Sequence, residues 1–186
     1  MLNKKDYSRK CPKIKILIHW YDLPDNKVIK LDKRLQKRIL GKICANLKYG
    51  QKKILAQKLN LSRSYIKYLL DLKSNFSVGS LKRISKEAKI SFNYIEKHII
   101  GFGRKRIIKN PNFPFNMNSD NGIALRSIIN SEGHISEQIG RSVMIRVPEI
   151  DMLKKAIRIS KNLFGEFNVE IKKTKDKNTH EIYLQN

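Results

Sequence analysis

The sequence has few cysteines and no long apolar segment. Its two cysteines, Cys11 and Cys44, lie far apart and outside any CxxC or Cys/His pattern, so neither a zinc site nor a disulfide framework is expected. No stretch approaches the roughly 20 apolar residues that a membrane span requires. The first residues, MLNKKDYSRK, lead into no apolar run typical of a signal peptide. We therefore expect a soluble, cytoplasmic protein without a membrane partner.

Acidic residues are scarce relative to basic ones. The 186 residues include 40 Lys and Arg but only 16 Asp and Glu, which gives a net charge of +24. Residues 1–119 hold 29 basic and 7 acidic side chains, whereas residues 120–186 hold 11 and 9. Such a field favours an anionic partner, and we expect double-stranded DNA and a nucleoid-associated location. A solvated lysine-rich surface and an anionic membrane surface are the alternatives.

Apolar residues make up 40% of the chain and recur along its whole length, which favours a folded α+β protein over disorder. We expect an N-terminal extension, residues 1–31, with a strand at 13–21. A helical domain follows at 32–100, where Asp32 caps the first helix and Gly50 ends it. Residues 101–122 collect Gly, Pro, Asn and basic side chains and indicate a linker. In residues 123–186 the patterns run α, one or two strands, α, β, β.

The stretch KKILAQKLNLSRSYIKYLL, residues 52–70, has the pattern of two short helices joined by a tight turn. Asn60 and Leu61 form the turn, and Ser62 caps the second helix. Small Ala56 allows the two helices to cross closely. We expect these apolar residues to face inward: Ile54, Leu55, Leu59, Ile66, Leu69 and Leu70. The residues expected to contact DNA are Lys52, Ser62, Arg63, Ser64 and Lys67, because recognition helices read base edges and phosphates through their first turns.

With SLKRISKEAKIS after it, this pattern resembles the Cro and phage-repressor-like helix-turn-helix family over residues 32–100. The resemblance implies that the second helix of the pair reads DNA. Gln51 and Lys52 depart from the family, which usually has Thr or Ser followed by Gln there. Lys52 can still hold a phosphate, as a point charge. A helical bundle with basic surfaces and no DNA role is the alternative.

The helix-turn-helix pattern occurs twice in the chain. AQKLNLSRSYI, residues 56–66, is followed by SKEAKISFNYI, residues 85–95. Either copy can be the one that reads DNA. We favour the first copy, which offers Arg63 and Lys67, whereas the second offers Phe92, Asn93 and Glu96, which are typical of packing and support.

A second pattern of interest is the helix LRSIINSEG, residues 125–133. Ser127 and Ser131 lie four residues apart, so they share one helical face and allow another helix to approach closely. Glu132 comes in the last turn, just before Gly133, where the helix dipole disfavours a carboxylate. A carboxylate in that position favours a cationic or metal partner.

This nonamer resembles the motif of the LAGLIDADG homing endonucleases, in a chain with a single copy. Leu125 and Ile129 keep the aliphatic residues, and Gly133 is retained. The replacements are Arg126 for Ala, Ser127 and Ser131 for the small Gly and Ala, Ile128 for the second Leu, Asn130 for the first Asp, and Glu132 for the catalytic Asp. The lead-in PNFPFN is similar to archaeal-type members, and the family's last helix has no counterpart here.

The resemblance implies an αββαββ domain over residues 123–186 and a homodimeric, magnesium-dependent endonuclease. Two copies of Glu132 would each supply a ligand to Mg²⁺ near the dimer axis. Arg146 and Lys172 are the other catalytic candidates, and Lys173 is a DNA-contacting one. The expected dimer interface consists of Leu125, Ser127, Ile128 and Ser131. The basic run Arg104, Lys105 and Arg106 is expected to contact DNA from the linker.

Some residues point instead to a regulator that keeps an inactive nuclease fold for dimerisation. Alternation assigns Val143, Ile145, Val147, Val169 and Ile171 to the core side of the sheet. The opposite, DNA-facing side then includes Met144 and Glu170, which are poor phosphate partners, and Asn130 removes a motif carboxylate. Glu132 can also simply pair with a nearby Lys or with His134.

Other chemistry finds little support. The four histidines lack metal-ligand spacing, no Ser/His/Asp or Cys/His arrangement can be assembled, and no P-loop is present, so no nucleotide cofactor is expected. RNA binding is a weaker alternative, because only Tyr183 is a candidate for stacking on an exposed sheet.

Overall fold

The computed structural model describes residues 16–45, 52–103, 107–136, 142–174 and 179–184, which form a mixed α+β fold. Its helices are α1 (Lys33–Cys44), α2 (Lys52–Lys58), α3 (Arg63–Leu70), α4 (Val78–Glu87), α5 (Phe92–Glu96), α6 (Asp120–Glu132) and α7 (Ile150–Phe164). Its strands are β1 (Leu17–Ile18), β2 (Val28–Leu31), β3 (Phe76–Ser77), β4 (Ile99–Phe102), β5 (Ile108–Lys109), β6 (Phe115–Asn116), β7 (Gly133–Ser136), β8 (Ser142–Val147), β9 (Lys172–Lys173) and β10 (His180–Leu184). Across these ranges no helix is both long and apolar enough to cross a membrane.

Asp32 caps the start of helix α1, as predicted. The Asp32 carboxylate accepts hydrogen bonds from the backbone N–H groups of Arg34 and Leu35, at 2.8 and 3.2 Å. These bonds satisfy two of the N–H groups that a helix start leaves without partners. The described helix ends at Cys44, and Gly50, the predicted end, lies outside the described residues.

The predicted strand at 13–21 is only partly formed over residues 16–21, the part of it that the structure describes. Of these residues, Leu17 and Ile18 form a strand, whereas a 3-10 turn spans residues 20–22 instead. The turn buries Trp20 completely, and its Nε1 donates to the carbonyl of Phe92 at 3.1 Å. Burying this indole against α5 therefore stabilises a turn where alternation alone predicts an extended strand.

The first core lies between helices α1–α5 and an antiparallel sheet in the order β3-β2-β4-β5. Strand β2, from the predicted extension, pairs with β4 at the end of the predicted helical domain. Fully buried residues of this core include Ile29, Leu69 and Phe76. The extension therefore contributes to the same core as the helices.

Residues 101–122, predicted as a linker, contain β5, β6 and the start of α6. Three phenylalanines of this segment cluster with Phe164 of α7: the ring centroids lie 5.4 Å apart for Phe102 and Phe113, 4.3 Å for Phe113 and Phe115, and 5.0 Å for Phe115 and Phe164. Strands of two residues are too short to show the alternation that predicts a strand. The composition of this segment was therefore the only signal, and it predicts a linker.

The second core lies between helices α6 and α7 and an antiparallel sheet in the order β7-β8-β10-β9. Ile145, Val147 and Ile182 are buried, whereas Arg146 is exposed, as the alternation of β8 predicts. Val169 and Ile171 pack partly buried against this core, but the described strand that follows them is limited to Lys172–Lys173. The elements from α6 to β10 thus occur in the order αββαββ.

Candidate nucleic-acid interface

Helices α2 and α3 are joined by a tight turn with a left-handed residue. Asn60 has φ of 48°, a conformation that Asn adopts more readily than most residues. The N–H of Leu61 donates to the carbonyl of Ala56 at 2.9 Å, which closes the end of α2. Ser62 Oγ then accepts the N–H of Tyr65 at 3.2 Å and starts α3, as predicted.

The inner face of this pair agrees with the predicted apolar pattern except at one position. Leu55, Ala56, Leu59, Ile66 and Leu69 are buried, and Leu70 is half-buried. The prediction for Ile54 was wrong, because its side chain is 58% exposed. One residue step turns a helix by about 100°, so burial of Leu55 and Leu59 turns Ile54 toward solvent.

The outer face of α3 carries the residues predicted to contact DNA. Ser62, Arg63, Ser64 and Lys67 are all exposed. Neither Arg63 nor Lys67 forms an ion pair with the described part of the chain. Lys52 begins α2, but its side chain lies outside the described residues, as do Arg104, Lys105 and Arg106.

Two side chains that the sequence pattern did not single out hold α3 in place. The hydroxyl of Tyr65 lies 3.0 Å from the carbonyl of Asn75, to which it donates, and it accepts the N–H of Ser77 at 3.1 Å. Gln36, 4% exposed in α1, donates its Nε2 to the carbonyl of Leu69 at 3.2 Å. Gln36 could have been singled out from the sequence, because it is a polar residue inside the apolar stripe of α1 and a buried amide requires hydrogen-bond partners.

The second copy of the pattern has the same local geometry at α4 and α5. Lys89 has φ of 52°, the N–H of Ile90 donates to the carbonyl of Ser85 at 2.9 Å, and Ser91 Oγ accepts the N–H of Tyr94 at 3.3 Å. Both turns therefore use one left-handed residue and one serine cap.

The helix of the second copy is occupied by contacts within the chain. Glu96 accepts from the N–H of Trp20 at 3.3 Å and lies 3.0 Å from Nδ1 of His19. The ring centroid of Phe92 lies 5.3 Å from that of Trp20. Asn93 is exposed. Phe92 and Glu96 thus pack against the Trp20 turn, whereas the corresponding helix α3 leaves its cations exposed.

Helix α6 carries the four residues predicted to form a dimer interface, and the structure separates them into two pairs. Leu125 and Ile128 are 1% and 9% exposed because they pack in the chain's own second core. Ser127 and Ser131 are exposed, and their hydroxyls donate to the carbonyls of Ile123 and Ile128 within the helix. The two serines are therefore the members of this set that are accessible to a second chain.

Glu132 is exposed at the end of α6, directly before the first residue of β7, Gly133. A Cβ at Gly133 would collide with the backbone of Ile129, so this junction requires glycine. Within the described residues, no group of three or more His, Cys, Asp and Glu side chains is placed to hold a metal ion.

Two of the predicted catalytic residues meet on the exposed face of the second sheet. Arg146 and Lys172 both lie opposite Glu181 on neighbouring strands. The Arg146 guanidinium donates to Glu181 Oε2 from Nη2 at 2.8 Å and from Nε at 3.2 Å. Lys172 Nζ lies 5.9 Å from the ring centroid of Tyr183, and Lys173 is exposed beside it.

Tyr183 completes this cluster. Its hydroxyl donates to Glu181 Oε1 at 3.1 Å. Burial, followed by the hydrogen bond and charge of Glu181, raises the pKa of Tyr183 above its ordinary value of 10.0. No hydrogen bond or ion pair within the described residues joins Glu132 to Arg146 or Lys172. The sheet cluster is therefore organised around Glu181, which the sequence pattern did not single out.

Two polar surfaces in the described part of the chain thus differ in character. The first consists of exposed, unpaired cations on α3, and the second is a sheet face whose Arg146 is neutralised by Glu181. Comparisons with protein-family models, with curated proteins and with solved structures find no match for the chain.

Proposed function

We propose that this chain is a sequence-specific, double-stranded DNA-binding protein and that α3 is its recognition helix. The observation that carries the proposal is the exposed outer face of α3, where Arg63 and Lys67 point away from the core and form no ion pair with a described carboxylate. Arg binds guanine bidentately in the major groove, and Lys holds phosphates. This assignment agrees with the helix-turn-helix resemblance of residues 32–100, which implies that the second helix of the pair reads DNA.

The hydrogen bonds that hold α3 in place favour the same function. Tyr65 and Gln36 fix the helix from its buried side and from its C-terminal end, at hydrogen-bond distances of 3.0–3.2 Å. A rigid helix loses little conformational entropy on binding, which improves discrimination between base pairs. The net charge of +24 would supply the sequence-independent part of the affinity.

A second proposal concerns cleavage. The αββαββ order and the exposed carboxylate of Glu132 at the end of α6 favour a LAGLIDADG-like, Mg²⁺-dependent endonuclease. Because the chain has a single copy of the motif, the resemblance implies that an active enzyme would be a homodimer in which two copies of Glu132 supply metal ligands. The pairing of Arg146 with Glu181 favours the alternative, a transcriptional regulator with an inactive domain of this kind.

One experiment tests both proposals. The wild type and the variants Arg63→Ala, Glu132→Gln and Glu149→Gln are incubated with a pool of random duplex DNA and Mg²⁺, and both the bound and the newly cut molecules are sequenced. Glu149 is an exposed carboxylate at the start of α7 and serves as the matched control for Glu132.

The outcomes separate the alternatives. Selection of a motif by the wild type that is relaxed in Arg63→Ala supports the recognition helix, and absence of any selected motif contradicts sequence-specific binding. Cuts made by the wild type and by Glu149→Gln, but not by Glu132→Gln, support the endonuclease. Selective binding without cuts in any variant leaves the regulator.

A further inference from the structure

Helix α1 has an unusual outer surface. It carries five basic residues and no acidic one, and all five are exposed: Lys33, Arg34, Lys37, Arg38 and Lys42. We name this surface the α1 basic face. None of the five forms an ion pair within the described residues. A helix that only supported the core would gain from acidic neighbours at i+4 spacing.

Two of these five charges oppose the stability of α1 itself. Lys33 and Arg34 occupy the first turn, where the helix dipole favours anions and disfavours cations. Asp32, the cap, is the carboxylate that partly offsets them. Binding of an external anion at this end would explain the two cations, because the helix dipole and the basic side chains would then both attract that anion.

Gly41 points to the same conclusion independently. It lies inside α1, it is exposed, and a Cβ added to it would meet nothing within 4 Å. Neither packing nor backbone conformation within the described residues therefore requires a glycine at this position. Its presence has a cost, because glycine lowers helix stability relative to alanine. Gly41 lies on the same side of α1 as Arg34 and Arg38, which are seven and three residues before it. A partner whose backbone approaches the helix closely there would explain the missing side chain.

Arg38 is held in a defined position on this face. Its Nη1 donates to the hydroxyl of Tyr94 at 3.1 Å, and its Cζ lies 5.7 Å from the centroid of that ring. The imidazole of His98 packs against Tyr94 with centroids 4.5 Å apart. Because the ring of Tyr94 already has these two neighbours, the cluster suits a phosphate at Arg38 better than a base stacked on the ring.

We infer that the α1 basic face binds the sugar-phosphate backbone of duplex DNA, with Gly41 at the point of closest approach and Tyr94 as the positioning residue for Arg38. This inference rests on the proposed function for the identity of the ligand. It adds a sequence-independent contact distinct from the base-reading face of α3. Because Gln36 on the buried side of α1 bonds to the last turn of α3, the two contacts are held in a fixed relation.

The first test measures how binding depends on salt. Fluorescence anisotropy with a random-sequence duplex at several KCl concentrations compares the wild type with the triple variant Arg34→Gln, Arg38→Gln, Lys42→Gln. The matched control removes three exposed cations from α7 that form no ion pair within the described residues, through Lys155→Gln, Arg158→Gln and Lys161→Gln. Each lost phosphate contact lowers the salt slope by about 0.9 log unit. We expect that loss for the α1 variant and an almost unchanged slope for the control; equal losses would overturn the inference.

The second test uses Gly41 and Tyr94. Gly41→Ala and Gly41→Leu are expected to raise the melting temperature while Gly41→Leu weakens binding, and unchanged affinity for Gly41→Leu would overturn the close approach. Tyr94→Phe keeps the ring and removes the hydrogen bond to Arg38. It should weaken binding in the wild type but not in an Arg38→Gln background, because positioning acts only through Arg38. An equal effect in both backgrounds contradicts the positioning role.

Failure of this inference is distinguishable from failure of the proposed function. Variants of the α1 basic face should weaken all duplex sequences alike, whereas Arg63→Ala should change which sequence is preferred. If the α1 variant lowers the salt slope but Arg63→Ala leaves the preferred sequence unchanged, the result supports the backbone contact and contradicts the assignment of α3 as the recognition helix. The reverse result removes the backbone contact alone.

Discussion

The side chain of Gln36 in α1 donates one hydrogen bond to the last turn of α3, because its Nε2 lies 3.2 Å from the carbonyl oxygen of Leu69. The same nitrogen lies 3.2 Å from the carbonyl oxygen of Ser74, in the loop after α3. The carbonyl of Leu69 also accepts the N–H of Leu72 at 3.1 Å, so the Gln36 amide is an additional donor there. One buried amide therefore bonds to two backbone carbonyls and links the helix with the basic face to the helix proposed to read DNA.

Replacing Gln36 by leucine should destabilise the fold. The variant keeps the size of the side chain but leaves the carbonyls of Leu69 and Ser74 without this donor, which we expect to cost about 1–3 kcal/mol. Urea unfolding followed by circular dichroism measures the change. Gln57→Leu is the matched control, since Gln57 is exposed on α2. Equal stabilities of the two variants would show that the Gln36 hydrogen bonds contribute nothing.

Arg63 and Lys52 should differ in how they affect DNA binding. If Arg63 contacts a base, Arg63→Ala should cost about 1–3 kcal/mol at one position of the selected motif and relax specificity there. Lys52→Ala should weaken binding to all sequences alike and lower the salt slope by about 1. Competition binding with single-base variants of the selected motif checks both. Identical profiles for the two variants would contradict the division of roles.

Dimerisation through α6 should depend on its exposed serines. Ser127→Leu places a large side chain where a second helix would approach closely, so we expect a monomer in sedimentation velocity. Because Ser127 is exposed, the melting temperature of the monomer should change little. Asn162→Leu, at another exposed position on α7, provides the control and should keep the wild-type assembly. A dimer that survives Ser127→Leu excludes this interface.

Features set by a few adjacent residues were predictable from the sequence. The caps of α1 and α3 depend on a carboxylate or a hydroxyl reaching N–H groups two or three residues later, so Asp32 and Ser62 were identified correctly. The burial pattern of α3 followed from helical spacing. Alternation in β8 likewise separated Ile145 from Arg146, because successive residues of a strand face opposite sides.

Features set by distant residues were not predictable in this way. Glu181 neutralises Arg146 only because β10 pairs with β8 in a register that brings these two positions together, 35 residues apart. The Trp20 turn forms because Phe92, far along the chain, accepts its indole N–H. Short strands such as β5 and β6 exist because the aromatic side chains around them pack together. Periodicity within one segment carries no information about such partners.

A last prediction concerns the dependence of stability on pH. Asp25 Oδ1 lies 2.8 Å from Lys82 Nζ, and the hydrogen bond and charge of Lys82 hold the pKa of Asp25 below its ordinary value of 3.8. A pKa lowered by folding contributes stability above the unfolded pKa, and the contribution is lost as pH falls through the folded pKa. The wild type should therefore be more stable than Asp25→Asn at neutral pH, and the difference should disappear on acidification. Urea unfolding of both proteins over a pH series checks this, and repeating it in concentrated KCl should shrink the difference at neutral pH, because this exposed pair is screened by salt. A difference that stays constant from neutral to acidic pH would show that Asp25 stabilises the fold by something other than its charge.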